Sequence, residues 1–588
     1  MQISEKKKQA NKHSRSILAY TQHCMLKTTS LLFGVFLLGI LTFCTTAEAQ
    51  STKFTTDDTL RGTLNWERSW WNVQHYTIAV QPDYLGKKII GSNTIQFSYQ
   101  AGNNPNEMQI DLQSPMQIDS VFFHKKKISF SKRGKDSWLL KLSKSNGASR
   151  NAKKTLVSDS VLIYYSGNPR IAKNAPWDGG WIFTTDKKGR PWMTVACQGL
   201  GASVWYPCKD HQSDEPDNGA TIRITVPDSL VAIANGRLQS VTKSKNNESI
   251  YEWTVINPIN NYNIVPYIGK YVNWKDNYAS TSGNNLALSY WVLDYNLEKA
   301  TPQFNRDTPR MLTAFEYWFG PYPFQEDGYK IVESPHLGME HQSAIAYGNG
   351  FTNGYRGRDL SGTGWGKDWD YIIIHESGHE WFANNITTND IADMWVHEGF
   401  TMYSEVLFIE YHYGREGADA YCRGVRTRIR NDRPIIGQYG VNDEGSGDMY
   451  NKGAGFLHHL RETINNDSSF REILRGLNQD FRHQTIDSKD VENYFIKKTG
   501  LPLQPLFDQY LRTNKVPVLE YVESDSKLKL RLTNCNELLT MPIRIDGKQT
   551  QNITITTSWQ EFNMPEGVSI KNISDNFYFT KKEASSSL

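Results

Sequence analysis

Residues 371–385 read Tyr-Ile-Ile-Ile-His-Glu-Ser-Gly-His-Glu-Trp-Phe-Ala-Asn-Asn, and residues 395–400 read Trp-Val-His-Glu-Gly-Phe. His375 and His379 stand four positions apart, which on a helix puts both imidazoles on one face, one turn from each other. Two imidazoles so placed reach a single ion, and zinc accepts them in a tetrahedral site. Glu376 is then positioned to take a proton from water at the ion's open position. Glu398, separated from His379 by eighteen residues, supplies the carboxylate that completes a His2Glu set. Glu405 lies seven residues further along the same helical face and is a candidate to orient a ligand imidazole by hydrogen bonding.

Outward from this segment the apolar period changes twice. Between Tyr76 and Val272 short alternating runs, such as Tyr76, Ile78, Val80 and Ile222, Ile224, Val226, are broken by Gly, Asn, Asp and Pro, which predicts strands. Near residue 300 the spacing becomes helical, with Met311, Leu312, Phe315, Trp318 and Phe319 followed by Gly320-Pro321. Helical patterns continue to about Lys515. Alternation then returns at Leu528, Leu530, Leu532, at Ile553 and Ile555, and in Phe577-Tyr578-Phe579. A chain of 588 residues exceeds one core. The expected division is a β domain over 50–272, a catalytic domain over 273–517 and a β-sandwich over 518–588.

Residues 1–49 form a separate unit. Lys6, Lys7, Lys8, Lys12, Arg15 and Lys27 precede the apolar run Leu31 to Phe43, and Ala47-Glu48-Ala49 follows it, the pattern of an export signal. The 13-residue run is shorter than the ~20 residues of a membrane-spanning helix. Periplasmic or secreted placement is expected, with no stable membrane span after the signal is removed. Cys44 offers a lipidation site only against the bulky Phe43 before it. Six cations and two anions fall in this segment, so the formal charge of +3 becomes −1 beyond it. Charge is spread along the rest of the chain, which argues against nucleic acid as a partner. The remaining cysteines, Cys197, Cys208, Cys422 and Cys535, contain no C-x-x-C pair, so they predict no cysteine metal site.

The pattern His375-Glu376-x-x-His379, eighteen residues, Glu398 resembles the aminopeptidase N family of gluzincin metallopeptidases, which also contains leukotriene hydrolases. Three further segments carry the resemblance. Leu337-Gly338-Met339-Glu340-His341 is similar to the family's Gly-Ala-Met-Glu-Asn motif, and Tyr450-Asn451-Lys452-Gly453 to its Tyr-x-Lys-Gly motif. Cys197-Gln198 with Tyr206-Pro207-Cys208 is similar to the segment that brings a glutamine to the family's active site. The resemblance implies a multidomain α+β fold: a saddle-like β domain, a thermolysin-like catalytic domain and a short C-terminal β-sandwich, without the large C-terminal helical domain of many relatives.

It also implies one Zn2+ per chain and removal of single residues from peptides with a free N-terminus. An exopeptidase must locate a cationic amine, best held by a buried carboxylate at a fixed distance from the metal. Glu340 and Gln198 are implied for that role, Gly338 and Met339 for pairing with substrate backbone, Glu376 as general base and Tyr450 as donor to the oxyanion. Leu337 and His341 depart from the motif. A thermolysin-like endopeptidase and a non-catalytic zinc-containing peptide-binding module are the alternatives. His341 and His397 are assigned no chemistry, and His458 and His459 are expected to face core and solvent. The oligomeric state is not encoded in any motif.

Overall fold

The computed structural model describes residues 54–584, apart from 102–105, 143–155, 245, 525, 548–549 and 566. The expected export signal and Cys44 lie outside the described residues. No described helix is long and apolar enough to cross a membrane.

Two short helices open the described residues, α1 (Thr56–Gly62) and α2 (Trp66–Ser69). An eight-stranded sheet follows, in the order Arg237–Lys243, Glu248–Val255, Ala220–Pro227, Trp71–Asp83, Lys88–Gln100, Leu156–Gly167, Gln117–Phe123 and Lys126–Ile128. Its one parallel pairing joins Tyr76 to Ala220, Ile78 to Ile222 and Val80 to Ile224. Within these two strands each of these buried residues alternates with a more exposed one, because successive strand residues point to opposite faces. A four-stranded sheet (Val231–Ile233, Tyr267–Gly269, Pro191–Ala196, Gly180–Thr185) and a three-stranded one (Glu107–Asp111, Ser137–Lys141, Phe130–Arg133) complete this part. They share one hydrophobic core.

The hairpin Tyr271–Ala279 with Asn285–Leu293 belongs to the next sheet, through a parallel pairing of Leu288 with Tyr329. That sheet continues with Tyr329–Glu333, Ile345–Tyr347 and, at its edge, Gly338–Met339. Helices α3 (Leu297–Phe319) and α4 (Tyr371–Gly378) pack against it, and α5 (Trp395–Tyr413), α6 (Arg415–Arg426), α7 (Asn451–Ile464), α8 (Asp467–Asp480), α9 (Ser488–Thr499) and α10 (Gln504–Arg512) pack on these two and on one another. Helix α3 buries Met311, Leu312, Phe315, Trp318 and Phe319, and ends where Gly320 takes φ 96° and donates its N–H to the carbonyl of Glu316.

The C-terminal part holds a four-stranded sheet, Gln560–Asn563, Lys527–Thr533, Val518–Ser524 and Thr580–Glu583, and a hairpin of Met541–Ile545 with Gln551–Ile555. Leu528, Leu530 and Leu532 point inward. Two expectations need correction. Phe577-Tyr578-Phe579 precedes the last strand and docks on the helices: the N–H of Tyr578 bonds His459 Nδ1 at 2.8 Å, and Tyr510 donates to its carbonyl. His458 and His459 are both fully buried, because α7 lies between α5, α6, α8 and this C-terminal stretch.

Candidate active site

Helix α4 begins where the Asp370 carboxylate caps the N–H groups of Ile372 and Ile373. It carries His375 and Glu376 and ends at Gly378, with His379 capping it in helical dihedrals and a wider helical turn following over Glu380–Asn384. The backbone beyond departs sharply from the helix at Phe382 and at Ala383, φ 131°. That departure turns the Phe382 carbonyl back toward His379 Nδ1, 3.1 Å away. Helix α5 contributes Glu398 from its first turn and Glu405 two turns on.

The three ligand atoms converge. His379 Nε2 lies 3.3 Å and His375 Nε2 3.8 Å from Glu398 Oε2. The far side of each ring is committed elsewhere: His375 Nδ1 to Glu405 Oε1 at 2.6 Å, His379 Nδ1 to the Phe382 carbonyl and to Thr401 Oγ1 at 3.1 Å. Glu405 is itself fixed by the Tyr421 hydroxyl at 2.6 Å. A carboxylate or carbonyl acceptor keeps the proton on Nδ1, so both Nε2 lone pairs face Glu398 Oε2. That oxygen is buried with no hydrogen-bond partner among the described residues. Two bare nitrogens and one anionic oxygen, all aimed at one point, fit a tetrahedral divalent cation of the zinc type. The electrostatics agree. Burial opposes charge on His375, yet the carboxylates of Glu398 and Glu405 beside it outweigh burial and push its pKa well up, so this point attracts positive charge.

Around this point opens a cleft of about 400 Å³, lined by Gln198, Gly338, Met339, Glu340, Glu376 and Tyr450 among others. Glu376 is buried, and loss of water pushes its pKa up to about 7 against the pull of the two histidines. A methyl group on Gly338 would come within 2.4 Å of Glu376 Oε1, so a side chain on this edge strand would displace the carboxylate. Burial likewise raises the pKa of Glu340. Its oxygen lies within 4.8 Å of ligand-type atoms of Glu376 and His379. The Tyr262 hydroxyl donates to Glu340 Oε1 at 2.7 Å, and Asn384 Nδ2 to its carbonyl at 2.9 Å. Gln198 reaches in from the β domain and donates to Glu398 Oε1 at 3.0 Å, leaving Oε2 for a cation.

Tyr450 stands at the start of α7, its ring near-parallel to that of His375 with centroids 6.1 Å apart. It is delivered by a close helix crossing. A methyl on Gly453 would meet Gly399 Cα at 2.7 Å, so the pair of glycines brings α7 against α5 and Tyr450 beside Glu398. Lys452 points away and donates to the Thr513 carbonyl at 2.8 Å. His341 and His397 are buried and bonded to Tyr267 and Thr388, outside the cleft. Sequence reasoning missed Tyr262, Thr401, Asn384 and Tyr421, whose contacts come from distant parts of the chain with no local spacing to mark them. It also missed Glu444 and Trp177, which line the cleft, the latter 59% exposed.

Comparison with known proteins agrees with this architecture. The family description "Peptidase M1 N-terminal domain" matches residues 72–262 and "Peptidase family M1 domain" matches residues 304–510. Aminopeptidase B of Homo sapiens is 23% identical over 353 residues, 56% of this chain and 50% of that protein. Leukotriene A-4 hydrolase of Xenopus laevis is 23% identical over 372 residues, 56% of this chain and 57% of that protein. The chain thus spans about half the length of the curated relatives it matches. An M1 zinc metallopeptidase variant from Deinococcus radiodurans, solved with a Tyr-Ser-Ala substrate, superposes with TM-score 0.63 at 19% identity, over 76% of this chain and 96% of that one. The N-terminal and catalytic matches, in order along one chain that folds as the M1 metallopeptidases do, make this protein a member of peptidase family M1.

Proposed function

We propose that the protein is a zinc aminopeptidase that releases single residues from peptides with a free amino end. The observation that carries this reading is the distance of Glu340 from the ligand cluster. An amine and the carbonyl of the same residue are separated by only two bonds through Cα, so an anion a few ångströms from the ion admits one residue between amine and scissile bond. A buried carboxylate with a tyrosine donor on one oxygen keeps the other for a cationic amine.

His375, His379 and Glu398 would hold the zinc, which when bound supplies a Lewis acid for the scissile carbonyl and lowers the pKa of water. Glu340 and the Gln198 side-chain oxygen bind the amine and fix the register. The edge strand Gly338–Met339 offers unpaired backbone to the peptide. Glu376 accepts a proton from the attacking water and returns it to the leaving amine. Tyr450 donates its hydroxyl hydrogen bond to the oxyanion that develops on the carbonyl. Residues 1–49 are proposed to direct export.

The direct test compares a peptide series with its N-acetylated twins. Free peptides are expected to lose residues one at a time and acetylated ones to resist. Internal cleavage of both would leave zinc chemistry but replace the exopeptidase reading with an endopeptidase. Zinc binding without cleavage of either would favour a binding module.

Glu405 is the orienting partner of His375. Glu405→Ala is expected to weaken zinc affinity by about 10–100-fold, read by competition with a chromophoric chelator, with the fold checked by circular dichroism. Unchanged affinity would remove Glu405 from this role.

A further inference from the structure

Residues Thr55–Ser69, near the start of the described chain, form no part of the catalytic motifs, yet they contact loops that carry cleft residues. At one end they are fixed to the β domain. Arg68 Nη2 meets Asp111 Oδ2 at 3.0 Å with both side chains buried, and Asn65 Nδ2 donates to Gln109 Oε1 at 2.8 Å. Asp111 in turn accepts the N–H of Asp210 at 3.1 Å, which places two buried aspartates together. Their counter-charges both come from this segment, Arg68 for Asp111 and Arg61, 3.8 Å away, for Asp210. Two adjacent buried carboxylates without those arginines would be strongly unfavourable, so the segment is held in place by charge as well as by shape.

In its middle it touches the two loops that carry Gln198 and Tyr450. Residues Cys197–Gly201 make a tight turn, with the Gly201 N–H on the Cys197 carbonyl at 2.7 Å. The carbonyl of Gly199 at its tip accepts from Arg61 Nη2 at 2.8 Å and from Asn442 Nδ2 at 3.4 Å. Gln198, the residue before, is the one that reaches Glu398. Thr63 Oγ1 donates to the Gly440 carbonyl at 3.0 Å, and Gly62 lies so close to Val441 that a methyl there would meet its backbone at 2.6 Å. The chain from Val441 runs on to Tyr450. A cavity of about 40 Å³, room for a water or two, is what remains between Arg61, Gly199, Asp210 and Asn442.

We propose that Thr55–Ser69 is a strap that sets the amine-binding pole, and that Arg61 is a positioning residue for Gln198, acting through the Gly199 carbonyl. The inference rests on the aminopeptidase reading above, in which Gln198 binds the substrate amine. Rotation of the Gly199 peptide, once released from Arg61, moves the Gln198 backbone and with it the amide that faces both Glu398 and the amine. Arg61 itself does not line the cleft.

The experiment is a double-mutant cycle on Arg61 and Gln198 with a free-amine peptide, zinc content and melting temperature being recorded for each variant. Arg61→Gln is expected to raise KM about tenfold, the loss typical of one charge-assisted hydrogen bond, with kcat changed less than about threefold and zinc content unchanged. Arg61→Gln combined with Gln198→Ala is expected to be no worse than Gln198→Ala alone, because Arg61 acts only by way of Gln198. Arg133→Gln, which removes the partner of Glu67 at the far end of the strap, is expected to lower melting temperature without this KM change. If Arg61→Gln does not fold, Arg61→Lys keeps the charge beside Asp210 and enters the same cycle. Multiplicative losses in the double variant, or an unchanged KM, would overturn the proposal while leaving the aminopeptidase reading intact. A wild-type protein that releases no N-terminal residue would overturn both.

Discussion

Glu376→Gln is expected to keep its zinc and to lower kcat by about 10²–10⁴, the usual contribution of a positioned general base. The substitution is close to isosteric, which matters here because the site has no slack: Gly338 already lies against Glu376 Oε1 with no room for a Cβ. The amide therefore fills the same space and removes only the ability to accept the proton. Zinc content separates the two groupings of ligand-type atoms in the cleft. His375, His379 and Glu398 form one, and Glu340, Glu376 and His379 the other. The first has both imidazoles oriented from behind and a partnerless Glu398 oxygen, so Glu376→Gln is expected to bind zinc as the wild type does, measured by elemental analysis. Loss of the ion in this variant would put the metal on the second grouping and take the base role from Glu376.

Tyr450→Phe is expected to lower kcat by about 10²–10³ with KM and zinc content little changed, the effect of removing one donor to a developing oxyanion. The ring is wedged by the α5–α7 crossing and by its near-parallel neighbour His375, so the phenyl group keeps its place and only the hydroxyl is lost. An interaction made only as charge develops appears in kcat and kcat/KM equally. A rise in KM at constant kcat would instead make Tyr450 a substrate-binding residue, and no change would remove it from the chemistry.

Much of the site is legible along the chain because helical geometry converts spacing into proximity. His375 and His379 share a face by their separation alone, and Glu398 and Glu405 do so on α5, so one helix meets the other with two carboxylates opposite two imidazoles. The outer strand and helix patterns are readable for the same reason: Tyr76, Ile78 and Val80, or Phe315, Trp318 and Phe319, are buried according to a period set by the backbone. The aromatic run Phe577–Phe579 fails this logic. Its alternation is that of a strand, but its partners are His459 and Tyr510 on helices more than sixty residues earlier, and that packing overrides the local pattern.

The sequence by itself determined which chemistry the centre can support, since ligand type, number and spacing are properties of a helix and its side chains. The tertiary structure alone decided how that chemistry is held. Tyr262 meets Glu340 across 78 positions, Gln198 meets Glu398 across 200, and Arg61 meets Gly199 across 138. Such pairs leave no periodic trace, because nothing in the backbone relates residues so far apart until separate sheets and helices have packed. Gly399 and Gly453 show the same limit: only the crossing of α5 with α7 reveals why a side chain on Gly453 would clash with the facing backbone and one on Gly399 would crowd it.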